Sequence, residues 1–153
     1  MGRIRLEWRG DGVFKAVLDA TKRAMDSVLA DCVVQAKADV PVKTSILQGS
    51  IQMRPAREER PHYPVGYFGS WSVKYAAAVE FGTAPHLIVA KGKTLAVKPP
   101  PPGWGGRVSK QGYAIFGKRV KHPGTRPRPY LIPAAEKFFP TLPERIKQEL
   151  ANG

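Results

Sequence analysis

A chain of 153 residues is long enough for one domain with a moderate core and too short for two ordinary ones. Its net charge of +13 and sequence pI near 10.2 favour contact with a polyanion, be it nucleic acid, anionic lipid or an acidic protein surface. A single cysteine, Cys32, excludes an internal disulfide and a zinc site with two thiolates from one chain, and no run approaches the roughly 18 apolar residues of a membrane span.

The first residues, Met1-Gly2-Arg3-Ile4-Arg5-Leu6-Glu7-Trp8, lack the apolar stretch of a signal peptide, so a cytoplasm-like compartment is expected. Ile4, Leu6 and Trp8 alternate with charged neighbours, which predicts a short strand or arm over residues 1–10. From Val13 to Ala38 the apolar positions Phe14, Val17, Leu18, Met25, Val28, Leu29, Cys32 and Ala36 recur at three- and four-residue steps. That is the period of one amphipathic helix, roughly 40 Å long. Asp11 is placed to cap its start, Pro41 bars its continuation, and Cys32 falls on the apolar face as a small core residue.

Thr44 is placed to cap a single helical turn through Leu47, and the alternation of Ile51 and Met53 predicts a strand over Ser50 to Arg54. Arg57-Glu58-Glu59-Arg60 reads as a solvated turn. Pro64 to Val73, broken by Gly66 and Gly69, reads as two further strands or one bent strand. Tyr75 to Phe81, with three alanines, predicts two helical turns ended by Gly82. Ile88-Val89 and Leu95-Ala96-Val97 are expected to form a hairpin across Lys91-Gly92-Lys93.

Four consecutive prolines from Pro99 open a flexible Pro/Gly-rich loop over residues 98–112. Strands are expected at Tyr113 to Phe116 and at Arg119 to Lys121. Pro133 suits the first turn of a helix through Phe138, and Pro140 and Pro143 are expected to divide it from a last helix, Glu144 to Leu150, within a C-terminal tail of residues 140–153. The expected fold is α+β: a long N-terminal helix packed on a small, mainly antiparallel sheet, with long loops and a C-terminal helix, as one domain over residues 1–153.

Charge is distributed unevenly. Between Phe81 and Ala135 there are ten basic residues and no Asp or Glu: Lys91, Lys93, Lys98, Arg107, Lys110, Lys118, Arg119, Lys121, Arg126 and Arg128. They are spread over loops and short strands, which disfavours sequence-specific reading of a DNA groove by a helix. Solvated surface, a lining that faces DNA and a contact for an acidic neighbour all remain open.

Catalytic chemistry has little support in this pattern. A metal-dependent nuclease needs carboxylates gathered near its phosphate-binding surface, and the basic stretch has none. Glu80 and Glu136 flank it, and Glu80 in its alanine-rich turn is expected to pair with a nearby cation. Ser70 and Ser72 lack a G-x-S-x-G elbow. Gly92-Lys93-Thr94 imitates the end of a P-loop, but Leu87 stands where the first glycine belongs. Arg9-Gly10-Asp11 is read as turn and cap, and the three histidines as turn and surface residues. No cofactor or metal is expected.

Four blocks in order carry a family resemblance: Pro41-Val42-Lys43-Thr44-Ser45-Ile46-Leu47-Gln48-Gly49-Ser50-Ile51; Tyr75-Ala76-Ala77-Ala78-Val79-Glu80-Phe81-Gly82-Thr83; His122-Pro123-Gly124-Thr125; and Pro129-Tyr130-Leu131-Ile132-Pro133-Ala134. Following a long N-terminal helix, this series resembles the tail-component family of tailed bacteriophages, also described as neck or tail completion proteins, over roughly residues 12–139. Three departures stand out: Ser45 replaces a usual Gly, Gly49 intrudes before Ser50, and Tyr130 stands for Phe. Ser in place of Gly at position 45 argues against a positive φ there.

The resemblance implies a non-enzymatic structural protein of the virion. It would form a sixfold or twelvefold ring at the head–tail junction around the DNA channel, assembled in the bacterial host cytoplasm. The implied partners are its own copies, the neighbouring head–tail connector and the tail tube or terminator proteins, with nonspecific proximity to genomic DNA and no membrane. Lys91 to Thr125, above all the Pro99–Gly106 loop, would then lie at an interface or in the lumen. The alternatives are a basic nucleic-acid-binding protein without a virion role and, behind it, a hydrolase acting on nucleic acid.

Overall fold

The computed structural model describes residues 10–41 and 45–152. The strand expected within residues 1–10 and the cap expected at Thr44 lie outside the described residues. The chain divides into two compact units: Phe81–Pro127 is one, and the residues up to Glu80 together with those from Arg128 form the other.

The larger unit is organised by helix α1, Gly10–Asp39. Its buried row is Ala20, Ala24, Val28, Cys32 and Ala36, one residue every helical turn. Small side chains along that row let neighbouring elements approach closely. The helix starts at Gly10, so Asp11 sits inside the first turn, where its charge complements the helix dipole, and is not the expected cap. Phe14 and Val17, expected on the buried face, are 48% and 41% exposed, and Val13 beside them is 65% exposed. Within the described residues this first stretch of α1 is only partly covered, by the His62 ring against Phe14.

Helix α2, Ile46–Ser50, is entered from Ser45 at φ +56, with no side-chain capping bond. This overturns the expectation that serine would avoid a positive φ here. Burial of Leu47 and the Gly49 N–H donating to the Ser45 carbonyl at 2.8 Å hold the residue in that conformation.

Strands β1, Ile51–Arg60, and β2, Tyr63–Ser70, form an antiparallel hairpin that packs on α1. Its register shifts between Arg54 and Arg57, which frees the Ala56 N–H from the ladder; that group donates to Asp26 Oδ1 on α1 at 2.6 Å. Arg57 to Arg60, read as a turn because they are charged, continue the strand. Side chains that stay in water on a hairpin edge leave no hydropathy signal, and the backbone ladder alone defines them. The turn falls at Pro61-His62, with His62 at φ +71, and β2 is a single strand.

Helix α3, Ala76–Phe81, ends as expected at Gly82, whose φ is +70. Helix α4, Leu131–Phe138, runs through a 3-10 turn, Phe139–Thr141, into α5, Leu142–Ala151. As expected, the first of these helices ends at Phe138 and a separate one follows, with Pro140 in the 3-10 turn between them and Pro143 at the start of α5. Each occupies the opening of a helical segment, where an N–H would have no partner anyway. Helix α5 is docked on α1: the Arg145 guanidinium reaches the Asp31 carboxylate and the Ser27 hydroxyl, and Arg23 Nε donates to Glu149 at 2.6 Å.

The core joins Val28, Cys32 and Ala36 of α1 to Leu47, Ile51, Ala76, Tyr130 and Ala134. Cys32 is fully buried, with Sγ 3.5 Å from the Ala134 carbonyl. Burial, reinforced by the Asp31 charge and opposed by Arg145, pushes its thiol up to about 11.

The smaller unit contains β3, His86–Val89, paired antiparallel with β6, Arg119–His122, and β4, Ala96–Val97, paired antiparallel with β5, Ala114–Ile115. The hairpin expected across Lys91-Gly92-Lys93 does not form. Both of its arms pair with the returning segment 114–122, so residues 91–94 bulge out between two ladders. Helices and two-stranded antiparallel sheets, with α1 against the β1–β2 hairpin, make the fold α+β.

Candidate functional site: the acid-free basic segment

Two closures shape this segment. In the first, Thr83 and Thr125 exchange backbone hydrogen bonds at 3.0 and 3.1 Å, and their hydroxyls meet at 3.1 Å. Gly124, at φ +86, makes this possible, because a Cβ there would collide with the Thr83 carbonyl. In the second, β3 and β6 pair in the register Leu87↔Lys121 and Val89↔Arg119 on one face, and His86↔His122 and Ile88↔Val120 on the other.

The first of these faces is wholly exposed. Leu87 is 50% and Val89 52% exposed, each directly across from a cation. On the opposite face the His86 and His122 rings stack 4.9 Å apart. His86 Nδ1 donates to the Ala84 carbonyl, and His122 Nδ1 accepts the Gly124 N–H. Their separation in sequence hid this pair. Among the described residues, no three His, Cys, Asp or Glu side chains converge as metal ligands.

All ten basic residues singled out in the sequence are exposed, and no ion pair among the described residues involves any of them. Arg119 and Lys121 share the Leu87–Val89 face. The Lys118 carbonyl accepts the N–H of Ala90, the residue before the 91–94 bulge that carries Lys91 and Lys93, at 2.9 Å. Lys98 lies over the Tyr113 ring at 5.4 Å. Arg107 precedes, and Lys110 lies within, a turn in which the Ser109 N–H donates to Tyr113 O, and Arg126 follows Thr125. Arg128 belongs to the other unit, its N–H donating to the Val79 carbonyl.

The loop after Val97 has structure of its own. Trp104 packs against Phe116 with ring centroids 4.3 Å apart and donates Nε1–H to the Arg107 carbonyl, while the Ile115 N–H returns to that same carbonyl at 2.8 Å.

Glu80 does not pair with a cation as expected. It is 3% exposed, and its two carboxylate oxygens accept the backbone N–H groups of Tyr130, Leu131 and Ile132 at 2.8, 3.0 and 2.9 Å. These are the otherwise unsatisfied donors at the start of α4, so Glu80 caps that helix from across the chain. Tyr130, fully buried beside it, is shifted up by burial first and then by the charges of Glu80 and Tyr75. Its hydroxyl finds no hydrogen-bond partner among the described residues.

Comparison with family models, with curated proteins and with solved structures finds no match to this chain.

Proposed function

We propose that this protein is a structural component of a tailed-phage virion, assembling as a closed ring at the head–tail junction with its basic segment toward the DNA channel or an acidic neighbouring ring. The observation that carries the proposal is the joining of two of the motif blocks on which the family resemblance rests. Glu80 of Glu-Phe-Gly-Thr holds the start of the Tyr-Leu-Ile-Pro-Ala helix, so these blocks are parts of one structural device and not independent coincidences. The third block enters the same reading through Thr125, bonded back to Thr83.

Two further features support a ring. Val13, Phe14, Tyr63, Phe81, Leu87 and Val89 are exposed by roughly half or more, which a protein working in assembly can bury against its neighbours. The nine cations within Phe81–Pro127 carry no carboxylate with them, a composition suited to passive passage of phosphate backbone. The role needs no catalytic residue.

Native mass spectrometry of the full chain tests this, alone and with portal-side connector or tail-tube proteins. Discrete sixfold or twelvefold rings are expected, either alone or on addition of those partners. A persistent monomer that binds DNA tightly, with steep salt dependence and no affinity for virion proteins, overturns the proposal in favour of a stand-alone nucleic-acid-binding protein.

A further inference from the structure

Carboxylates and unpaired cations are segregated along this chain. Every Asp and Glu lies outside Phe81–Pro127. Most described carboxylates are already engaged: Asp19, Asp31, Glu59, Glu144 and Glu149 in ion pairs, Asp26 on a backbone N–H, Glu80 on three. Asp11 and Glu58 form no ion pair among the described residues, Glu58 accepting only the His62 N–H at 3.3 Å, and they line the same groove together with Lys15.

That groove lies between the start of α1 and the tip of the β1–β2 hairpin and has a volume of about 530 Å³. Its apolar wall is Phe14 and Leu18; His62 meets the Phe14 ring edge-on at 4.3 Å, and Lys15 shares the rim. It adjoins the stretch of α1 whose apolar side chains are only partly covered.

We propose that the Leu87–Val89–Arg119–Lys121 face of the β3–β6 ribbon in one copy binds the Asp11–Glu58 groove of a second copy. An apolar pair flanked by two cations meets an apolar wall flanked by two carboxylates. The ribbon face does not pair with itself, because Arg119 and Lys121 would oppose their own kind with no acid in the unit to relieve them. A two-stranded ribbon with one bare apolar face also needs a cover to be stable. Because the two faces differ, the contact is head-to-tail, the kind that propagates to a ring when the rotation closes. This deepens the ring proposal, and closure of the ring rests on that proposal.

A charge swap in the full-length chain provides the test, read by sedimentation and native mass spectrometry. The ribbon variant carries Arg119→Glu with Lys121→Glu, and the groove variant Asp11→Lys with Glu58→Lys. Each alone is expected to weaken self-association at least about tenfold, and an equimolar mixture to restore it, since each reversed face then meets its reversed counterpart. Loss without rescue in the mixture, self-association of both variants at wild-type strength, or a wild-type chain that stays monomeric overturns the inference. So does a ribbon variant that loses only DNA affinity.

Should either variant fail to fold, a disulfide between a Val89→Cys copy and a differently tagged Phe14→Cys copy is the second readout, and its absence is equally fatal. Rescue that yields open chains upholds the interface and sinks the ring. Rings that ignore both variants do the reverse.

Discussion

The Glu80 carboxylate accepts the backbone N–H of Tyr130 at 2.8 Å, bridging fifty residues of sequence, and takes the next two N–H groups as well. A buried charge is tolerated there because it is spent on the positive end of a helix. Glu80→Ala leaves three donors unsatisfied in the core and is expected to cost about 3 kcal/mol. Glu80→Gln keeps one acceptor oxygen and should cost about 1 kcal/mol. Urea unfolding of the two variants beside the parent measures both. Equal, small effects would show that the bonds contribute nothing net.

Tyr130→Phe should be neutral or stabilise by up to about 1 kcal/mol. The hydroxyl is buried without a partner, so its removal takes away a desolvated polar group and leaves the ring packing in place. A destabilisation above about 1 kcal/mol in the same assay would mean that the hydroxyl has a partner after all.

Ser45→Gly is expected to stabilise the protein by about 0.5–1 kcal/mol, because glycine takes φ +56 without the Cβ conflict that serine bears. Ser45→Val should destabilise by more than that, since a β-branched residue is worse still in this region. Thermal melts that rank glycine below serine would contradict the left-handed geometry.

Stability should decline on the alkaline side. The folded Cys32 thiol titrates near 11 against an unfolded value of 9.0, so below pH 9 its contribution is complete. Above pH 9 the unfolded chain releases the proton and the folded one does not, and the contribution is lost as pH rises toward 11. Tyr130, also shifted up, acts in the same sense at higher pH. Unfolding curves from pH 8 to 11 should flatten in Cys32→Ala relative to the parent. In the native state the thiol should resist alkylation at pH 8, becoming reactive only on unfolding.

Helices were legible where a pattern repeats, and pairings were not where the partner is distant. The three- and four-residue recurrence of apolar side chains from Phe14 to Ala36 marks α1 directly, although the buried row also takes in Ala20 and Ala24, and Gly82 marks the end of α3. Lys91-Gly92-Lys93 looked like a hairpin turn because its flanks are the nearest apolar segments. The actual partners, Ala114 to His122, lie beyond a proline loop that no local rule spans. Sequence displayed all ten cations of the candidate surface, but the alignment of Arg119 and Lys121 beside Leu87 and Val89 depends on strand register. Glu80 stands out in the sequence as a partner for a cation, yet its partners are backbone N–H groups, which every residue but proline carries and no side chain advertises.

The Thr83–Thr125 clasp has a consequence for how such a chain can change over time. Residues 84–124 leave and return through one hydrogen-bonded doorway, closed by two backbone bonds and a contact of hydroxyls. Closure entropy grows slowly with the length of chain enclosed, so a longer, shorter or differently charged passage can be grafted at the same threonines at small cost. The clasp is a socket, and what is plugged into it is free to follow the neighbour it must touch.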